Sequence, residues 1–459
     1  VPAPLTLAEA TEQIRRREIS PRELVEQCLD RIERLDGRLR AWVVVDHERA
    51  IQAARQLTEE AAKGSFRGPL HGVPVGIKDI IDVAGLPTRA GSPLRENHLA
   101  EQDATVVAGL RRSGAIILGK TVTVEFACFD PSASRNPWDP EINTNPTHTP
   151  GGSSSGSAVA VATGMCLGAL GTQTGGSLVR PSAYCGVATC KPTLARVSRD
   201  GVVPVSYHFD HVGPMARRVV DLELMLNCLP RSRDFGPPEQ AMAATAAPLA
   251  PGVKPPPRLG TLGGFFHETA DENIRACVQA ALEKLEVAGA TRVPLLEPDV
   301  DFSRIQPMHR RIMGVEAAAY HRDDYRKHAD AYGPLISELL DEGLAASAVD
   351  YAAALAELRD YQRRVVGLLD SVDAVIVPST HTTAPPTLAT STGTSEFQTP
   401  WSCAGLPVVS IPCGLAGDRL PAAMQLVGRY HGEPRLLAIA RWCEEVFAFD
   451  NLPPIISRR

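Results

Sequence analysis

Two runs of small polar residues carry the chemistry open to this sequence. Gly151-Gly152-Ser153-Ser154-Ser155-Gly156-Ser157 comes first, and Gly171-Thr172-Gln173-Thr174-Gly175-Gly176-Ser177 follows. Glycine beside serine lets the backbone approach a ligand and turn its N–H groups toward it. Such a segment can present a nucleophilic hydroxyl together with donors for a developing oxyanion. The same composition also suits a phosphate loop. A serine hydroxyl is a weak nucleophile at neutral pH and needs a base. Lys78, in Val75-Gly76-Ile77-Lys78-Asp79, stands where a buried strand would not ordinarily spend a charge. Burial without a paired carboxylate lowers a lysine pKa and frees the amine to act as that base. Asp79 need not pair with it, because adjacent strand residues face opposite sides. Ser153 can pass a proton between Ser177 and Lys78, since a hydroxyl both donates and accepts. The N–H groups that follow Thr174 can meet the oxyanion. The same residues also allow a blander arrangement, a buried lysine held by backbone carbonyls with Gly/Ser turns beside a helix.

Three other patterns match familiar motifs, and their context argues against each. Gly114-Ala115-Ile116-Ile117-Leu118-Gly119-Lys120-Thr121 fits the phosphate-loop spacing, but its middle residues are an apolar strand rather than a flexible loop. Gly152-Ser153-Ser154-Ser155-Gly156 fits the nucleophile elbow, yet Asn145-Pro146-Thr147-His148-Thr149-Pro150 precedes it where an apolar strand is required. Twelve histidines are present without a His-Glu-x-x-His pattern. His208 and His211 are three apart and read as polar loop residues near the cleft rather than metal ligands. No metal and no organic cofactor are expected.

The elements that must position these residues alternate between helix and short apolar strand. Ser20-Pro21-Arg22-Glu23 opens a helix with a cap serine, a proline in the first turn and a glutamate three residues on. Residues 47–63, 105–113, 221–229, 271–288 and 433–447 read as helices, and Ala158–Ala162 as the start of a buried one. Strands are expected at 42–45, 70–83, 115–118, 259–262, 373–378, 407–411 and 423–427. This alternation predicts an α/β sheet covered on both faces. Residues 231–257, rich in Pro and Ala, read as a surface linker. Residues 303–370 read as a helical block, broken near Gly333-Pro334 and Gly343, that forms one wall of a cleft. The Pro-rich tail from Asn451 reads as loose.

The chain has 459 residues, 44% of them hydrophobic, and a net charge of −6 from 47 basic and 53 acidic side chains of mixed order. That length suggests two or three domains. No basic stripe points to a nucleic acid partner, and no apolar run is long enough to span a membrane. Ten cysteines without a Cys-x-x-Cys pair read as free buried thiols. Val1-Pro2-Ala3-Pro4 lacks the basic and apolar regions of a signal peptide. The missing initiator Met leaves room for a trimmed start. A cytoplasmic protein is the expectation.

Taken in order, the blocks resemble the amidase signature family. Gly76-Ile77-Lys78-Asp79 is similar to its lysine segment, followed by Gly119-Lys120-Thr121 and Arg135-Asn136-Pro137-Trp138. Gly151 to Ser154 resembles its Gly-Gly-Ser-Ser block, and Gly171 to Ser177 its nucleophile block. Cys185-Gly186, Lys191-Pro192-Thr193, Asp210 and Gly213-Pro214 follow in order, then Gln425-Leu426-Val427-Gly428-Arg429. The resemblance covers about residues 5–230 and 370–448. It implies a large twisted mixed sheet between helical layers, formed by the whole chain as one domain, with 231–370 as a variable helical insertion lining the cleft. It implies a Ser-cisSer-Lys triad. Ser177 would be the nucleophile, Ser153 the bridge after a cis peptide bond with Gly152, and Lys78 the base. Thr174, Gly175, Gly176 and Ser177 would supply the oxyanion hole, with Ser154 supporting the network.

Four positions depart from the commonest pattern of that family. Val122-Thr123 stand where Asn-Met is frequent, which implies an altered pocket edge. Ser155 replaces a glycine, and Gln173 replaces an aspartate. Arg180 falls three residues after Ser177 instead of two, and could bind a substrate carboxylate or brace the core through Asp210 or Asp221. These features resemble a branch acting on varied small amides and ureas. Pocket walls are expected at 126–129, 207–209 and around 308–313, where aromatic and apolar side chains favour aryl or alkyl amides. Carbamates, as in a urethanase, would suit them too. Alternatives are a biuret- or allophanate-like substrate, the catalytic component of a tRNA-dependent amidotransferase complex, and a non-catalytic scaffold. The expected partner is a small-molecule amide or carbamate, and the expected assembly a monomer or homodimer.

Overall fold

The computed structural model describes residues 3–232, 256–296 and 301–457. Eleven strands of these residues form one sheet. They are β1 (Trp42–Val45), β2 (Pro74–Lys78), β3 (Ile116–Thr121), β4 (Gly168–Gln173), β5 (Ala188–Lys191), β6 (His211–Ala216), β7 (Arg258–Leu262), β8 (Thr291–Leu295), β9 (Ala374–Pro378), β10 (Val408–Leu415) and β11 (Pro421–Val427). Their spatial order is β1-β3-β2-β4-β6-β5-β10-β11-β9-β7-β8. Parallel trios β3-β2-β4 and β8-β7-β9 sit toward the two ends. The centre, from β4 through β6, β5, β10 and β11 to β9, is antiparallel. The sheet is mixed, as the resemblance implied.

Helices flank the sheet in two groups. Glu433–Phe447 packs on β10 and β11, with Glu272–Val287 and Val219–Cys228 beside it. Ser155–Ala162 and Val179–Cys185 pack on each other and on the strands from β2 to β11. Ser155–Ala162 is buried at every position, which explains why it is all Ala, Val, Ser and Gly: nothing larger fits between two packed surfaces. It ends at Ala162 rather than beginning near it. The capping box at Ser20 forms as expected, with Ser20 Oγ accepting from Glu23 N–H and the Glu23 carboxylate accepting from Ser20 N–H.

Several expectations are corrected. Residues 168–173, 188–191, 211–216 and 291–295 are strands that small residues, histidine and proline disguised in the sequence. Helix Pro334–Ala345 runs through Gly343 instead of breaking there. A Cβ on Gly343 would stand 2.0 Å from the carbonyl oxygen of Gly314, so glycine is what lets helices Ile305–His328 and Pro334–Ala345 touch backbone to backbone. The tail is not loose throughout: Pro454–Ser457 makes a helical turn that buries Ile455. Most of the expected linker, 233–255, lies outside the described residues. Among those residues no helix is long and apolar enough to cross a membrane.

Candidate active site

Strand β2 delivers Lys78 at its C-terminal end. Val75 and Ile77, on the neighbouring positions, are fully buried with it, so the sheet carries the lysine into the interior. Its Nζ lies 2.6 Å from Ser153 Oγ and 2.7 Å from Thr172 Oγ1. Burial pushes the Lys78 amine down to about 7, against the smaller opposing effect of the Asp210 carboxylate. Asp79 does point the other way. It forms a buried ion pair with Lys120, Nζ to Oδ1 2.9 Å. That pairing, together with the strand at Ile116–Thr121, accounts for the phosphate-loop spacing as structure.

Ser153 follows a cis peptide bond from Gly152. Ser154 then ties the two Ser/Gly runs together. Its Oγ donates to Thr172 O and accepts from Thr172 N–H, both at 3.2 Å, and its N–H donates to Ser177 O at 3.3 Å. A side chain at Gly171 would bring a Cβ to 2.7 Å from Ser154 Oγ, so glycine is needed for the runs to meet. Between β4 and helix Val179–Cys185 the chain turns through Thr174, Gly175, Gly176 and Ser177. Gln173 fixes the exit of that turn. Its Oε1 accepts from Leu178 N–H (2.9 Å) and Val179 N–H (3.0 Å), and its Nε2 donates to Ser402 Oγ (3.0 Å). A carboxylate could accept the first two bonds but could not make the third. Asp210 fixes the entry. It accepts from Thr174 Oγ1 at 2.6 Å and from the N–H groups of Val205 and Ser206. The N–H groups of Gly175, Gly176 and Ser177 have no acceptor among the described residues.

Arg180 is nearly buried and touches neither Asp210 nor Asp221. Its Nε and Nη2 donate to Gly152 O at 3.1 and 2.7 Å, and its Nη1 donates to Gly393 O at 2.6 Å. It braces the Ser153 turn through backbone, and Asp221 instead accepts from Ala8 N–H.

These groups open onto a cavity of about 530 Å³. Its floor is Thr174 to Ser177 and Arg180. Its walls are Ala127 to Phe129, residues 393–396, and Gln306, Pro307, His309, Arg310 and Met313 from helix Ile305–His328. Two of the three expected walls are therefore present. Met308 is turned into the core, Tyr207 lines a separate cavity of about 210 Å³, and Val122 and Thr123 line neither. His208 and His211 form no metal site. His208 meets Glu316, Nδ1 to Oε1 2.5 Å, while His211 Nδ1 donates to Phe209 O and its Nε2 accepts from Lys191. Among the described residues no cluster of three metal-ligating side chains exists.

The model of the Amidase family matches residues 23–437. The chain belongs to the amidase signature family. An amidase of Pseudomonas putida is 36% identical over 455 residues, covering 94% of each protein. One component of the glutamyl-tRNA(Gln) amidotransferase of Anaeromyxobacter is 35% identical over 490 residues, covering 98% of each. A crystal structure of an amidase superposes with a TM-score of 0.84 at 31% identity, covering 96% of this chain and 99% of that one. The protein is thus a hydrolase of C–N bonds other than peptide bonds.

Sequence reasoning missed Thr172 as a partner of Lys78, and it missed Gln306 and Ser402 around the turn; His309 falls in the wall expected around 308–313, but its bond to Thr174 O was not foreseen. Each contact joins residues far apart along the chain, and for Thr172 the one signal available at the outset was its position one residue before Gln173 in the second run.

Proposed function

We propose that the enzyme cleaves aryl or alkyl amides through an acyl-enzyme, with carbamates as a second substrate class. Ser177 Oγ attacks the carbonyl carbon while its proton passes through Ser153 Oγ to neutral Lys78. The oxyanion takes hydrogen bonds from the N–H groups of the 174–177 turn. The Lys78 ammonium returns a proton through Ser153 to the leaving nitrogen, the C–N bond breaks, and the amine departs. Water then attacks the acyl ester by the same relay and releases the acid.

The observation that carries this reading is the setting of Lys78. It is a fully buried lysine whose amine is bonded to two hydroxyls and to no carboxylate, with the cavity floor beginning two residues beyond Thr172. The apolar share of the walls, Ala127, Phe129, Pro307 and Met313, supports a substrate with an aryl or alkyl group. A cavity of about 530 Å³ is roomy for a biuret-sized molecule.

The test is turnover of acetamide, 4-nitroacetanilide and an aryl carbamate by the purified chain, following released amine and alcohol. Ser177→Ala should lower kcat by on the order of 10⁴-fold or more. Unchanged turnover in Ser177→Ala would sink the mechanism. The likeness to a component of an amidotransferase supports a reading in which the chain works only with a partner, and turnover by the isolated chain excludes it.

A further inference from the structure

His309 sits on helix Ile305–His328 against the 174–177 turn and is 3% exposed. One face stacks on Phe209, centroids 4.6 Å apart. Its Nε2 lies 3.3 Å from Thr174 O. A carbonyl oxygen only accepts, so Nε2 carries the proton. Burial pushes the ring down to about 4, which keeps it neutral at working pH. Nδ1 therefore holds a lone pair. Among the described residues nothing donates to it, and it is not one of the atoms sealed in the core without a partner. His309 lines the cavity, with Cε1, the carbon next to Nδ1, 3.4 Å from where a Cβ of Gly175 would stand.

We propose that His309 Nδ1 is a specificity-determining acceptor for an N–H of the bound substrate, held beside the Gly175 turn. The inference rests on the proposed acyl-enzyme reading and names what that site selects. Substrates that bring an N–H to the reacting carbonyl, primary and secondary amides or N–H carbamates, satisfy this lone pair. An ester of the same shape offers only an oxygen, and leaves an acceptor facing an acceptor. A buried acceptor without its donor costs roughly one to two factors of ten in discrimination. The fixed proton on Nε2 makes the selection one-sided. Thr174 O holds the tautomer, and Phe209 holds the ring plane.

The experiment compares 4-nitroacetanilide with 4-nitrophenyl acetate, which share the acetyl and nitrophenyl groups and differ in N–H against O. His309→Phe keeps the stack and removes both nitrogens, whereas His309→Gln can donate to Thr174 O and accept from substrate. The expected result is a fall in kcat/KM on the anilide roughly 10- to 100-fold larger than on the ester in His309→Phe, largely restored in His309→Gln. An equal fall on both substrates, or no recovery with Gln, overturns the proposal. A second measurement needs no turnover. In Ser177→Ala, the ¹⁵N resonance of His309 Nδ1 should be that of an unprotonated nitrogen, and should move when acetanilide is added but not when phenyl acetate is. A proton on Nδ1, or no movement with acetanilide, also overturns it. Failure of the acyl-enzyme reading shows separately, as turnover that survives Ser177→Ala.

Discussion

Thr172 gives a test of the Lys78 base in two opposite directions. At pH 7 an unperturbed lysine is neutral in about one molecule in three thousand. Lys78, held down to about 7 by burial, is neutral in about one in two. The rate at neutral pH should therefore rise with pH along a limb centred near 7 and level off above it. Thr172 Oγ1 lies 2.7 Å from Nζ, so what stands there must move that limb. Thr172→Asp puts a carboxylate beside the amine, favours the ammonium, and should raise the limb by roughly 1–3 pH units. With the limb near 9, about 1% of the lysine is neutral at pH 7, a loss of about 50-fold that is recovered as the pH approaches 10. Thr172→Val removes an acceptor from the ammonium without adding charge. A hydrogen bond to a charged group is worth about 1.5–3 kcal/mol, against about 0.5–1.5 for the bond to the neutral amine that is lost with it, so the limb should fall by roughly 1 pH unit, leaving the rate at pH 8 intact. The assay is kcat/KM on 4-nitroacetanilide from pH 5 to 10. A flat wild-type profile, or the two variants moving the limb the same way, would refute the role given to Lys78.

Other outcomes follow from the same structure. Lys191, also buried and held down to about 7, donates to Leu406 O and Pro192 O, so Lys191→Met should lower the melting temperature while leaving the pH limb of kcat/KM in place. Asp79→Ala strands Lys120 as an uncompensated buried charge and should cost about 3–5 kcal/mol in urea denaturation, much of it recovered when Lys120→Met is added. Gly343→Ala should force helix Ile305–His328 away from its neighbour at a cost of about 1–3 kcal/mol. Because that helix lines the cavity, KM on 4-nitroacetanilide should rise with it.

Residues that break a local rule were the legible part of the site. A lysine in an apolar strand and glycines beside serines stand out because their neighbours give them no reason to be there. Four strands were legible for the opposite reason: β1, β3, β9 and β11 are mostly β-branched or other apolar residues. β4 and β6, which pair beside the site, were not. β4 is Gly-Ala-Leu-Gly-Thr-Gln, small enough to let Ser154 and helix Ser155–Ala162 close against it, and therefore poor in strand signals. β6 carries Pro214, which ordinarily argues against a central strand. Its register places Pro214 opposite Leu170, and its carbonyl still accepts from Thr189 Oγ1. What strand propensity favours, close approach to Ser154 and its helix forbids, so the pattern fails at β4. Arg180 stood out in the sequence, but what it holds was illegible for a further reason. Its partners are backbone carbonyls of Gly152 and Gly393, and a carbonyl has no signature in a sequence.

Three buried lysines, Lys78, Lys120 and Lys191, show why burial alone does not name a base. All end or nearly end a strand, and all have an amine pushed down by desolvation. Lys120 is matched by the Asp79 carboxylate and is an ion pair. Lys191 sends its protons to Leu406 O and Pro192 O, with a third contact to the Nε2 lone pair of His211. Those acceptors cannot pass a proton onward to a substrate, and Lys191 lines neither cavity described above. That is the bland arrangement open to Lys78 from its sequence. Lys78 differs in the kind of atom it meets. Ser153 and Thr172 offer hydroxyls, which accept from an ammonium and donate to an amine, so the contact survives a change of protonation state. Base chemistry requires that reversibility, and of the three only Lys78 has it within reach of the cavity floor.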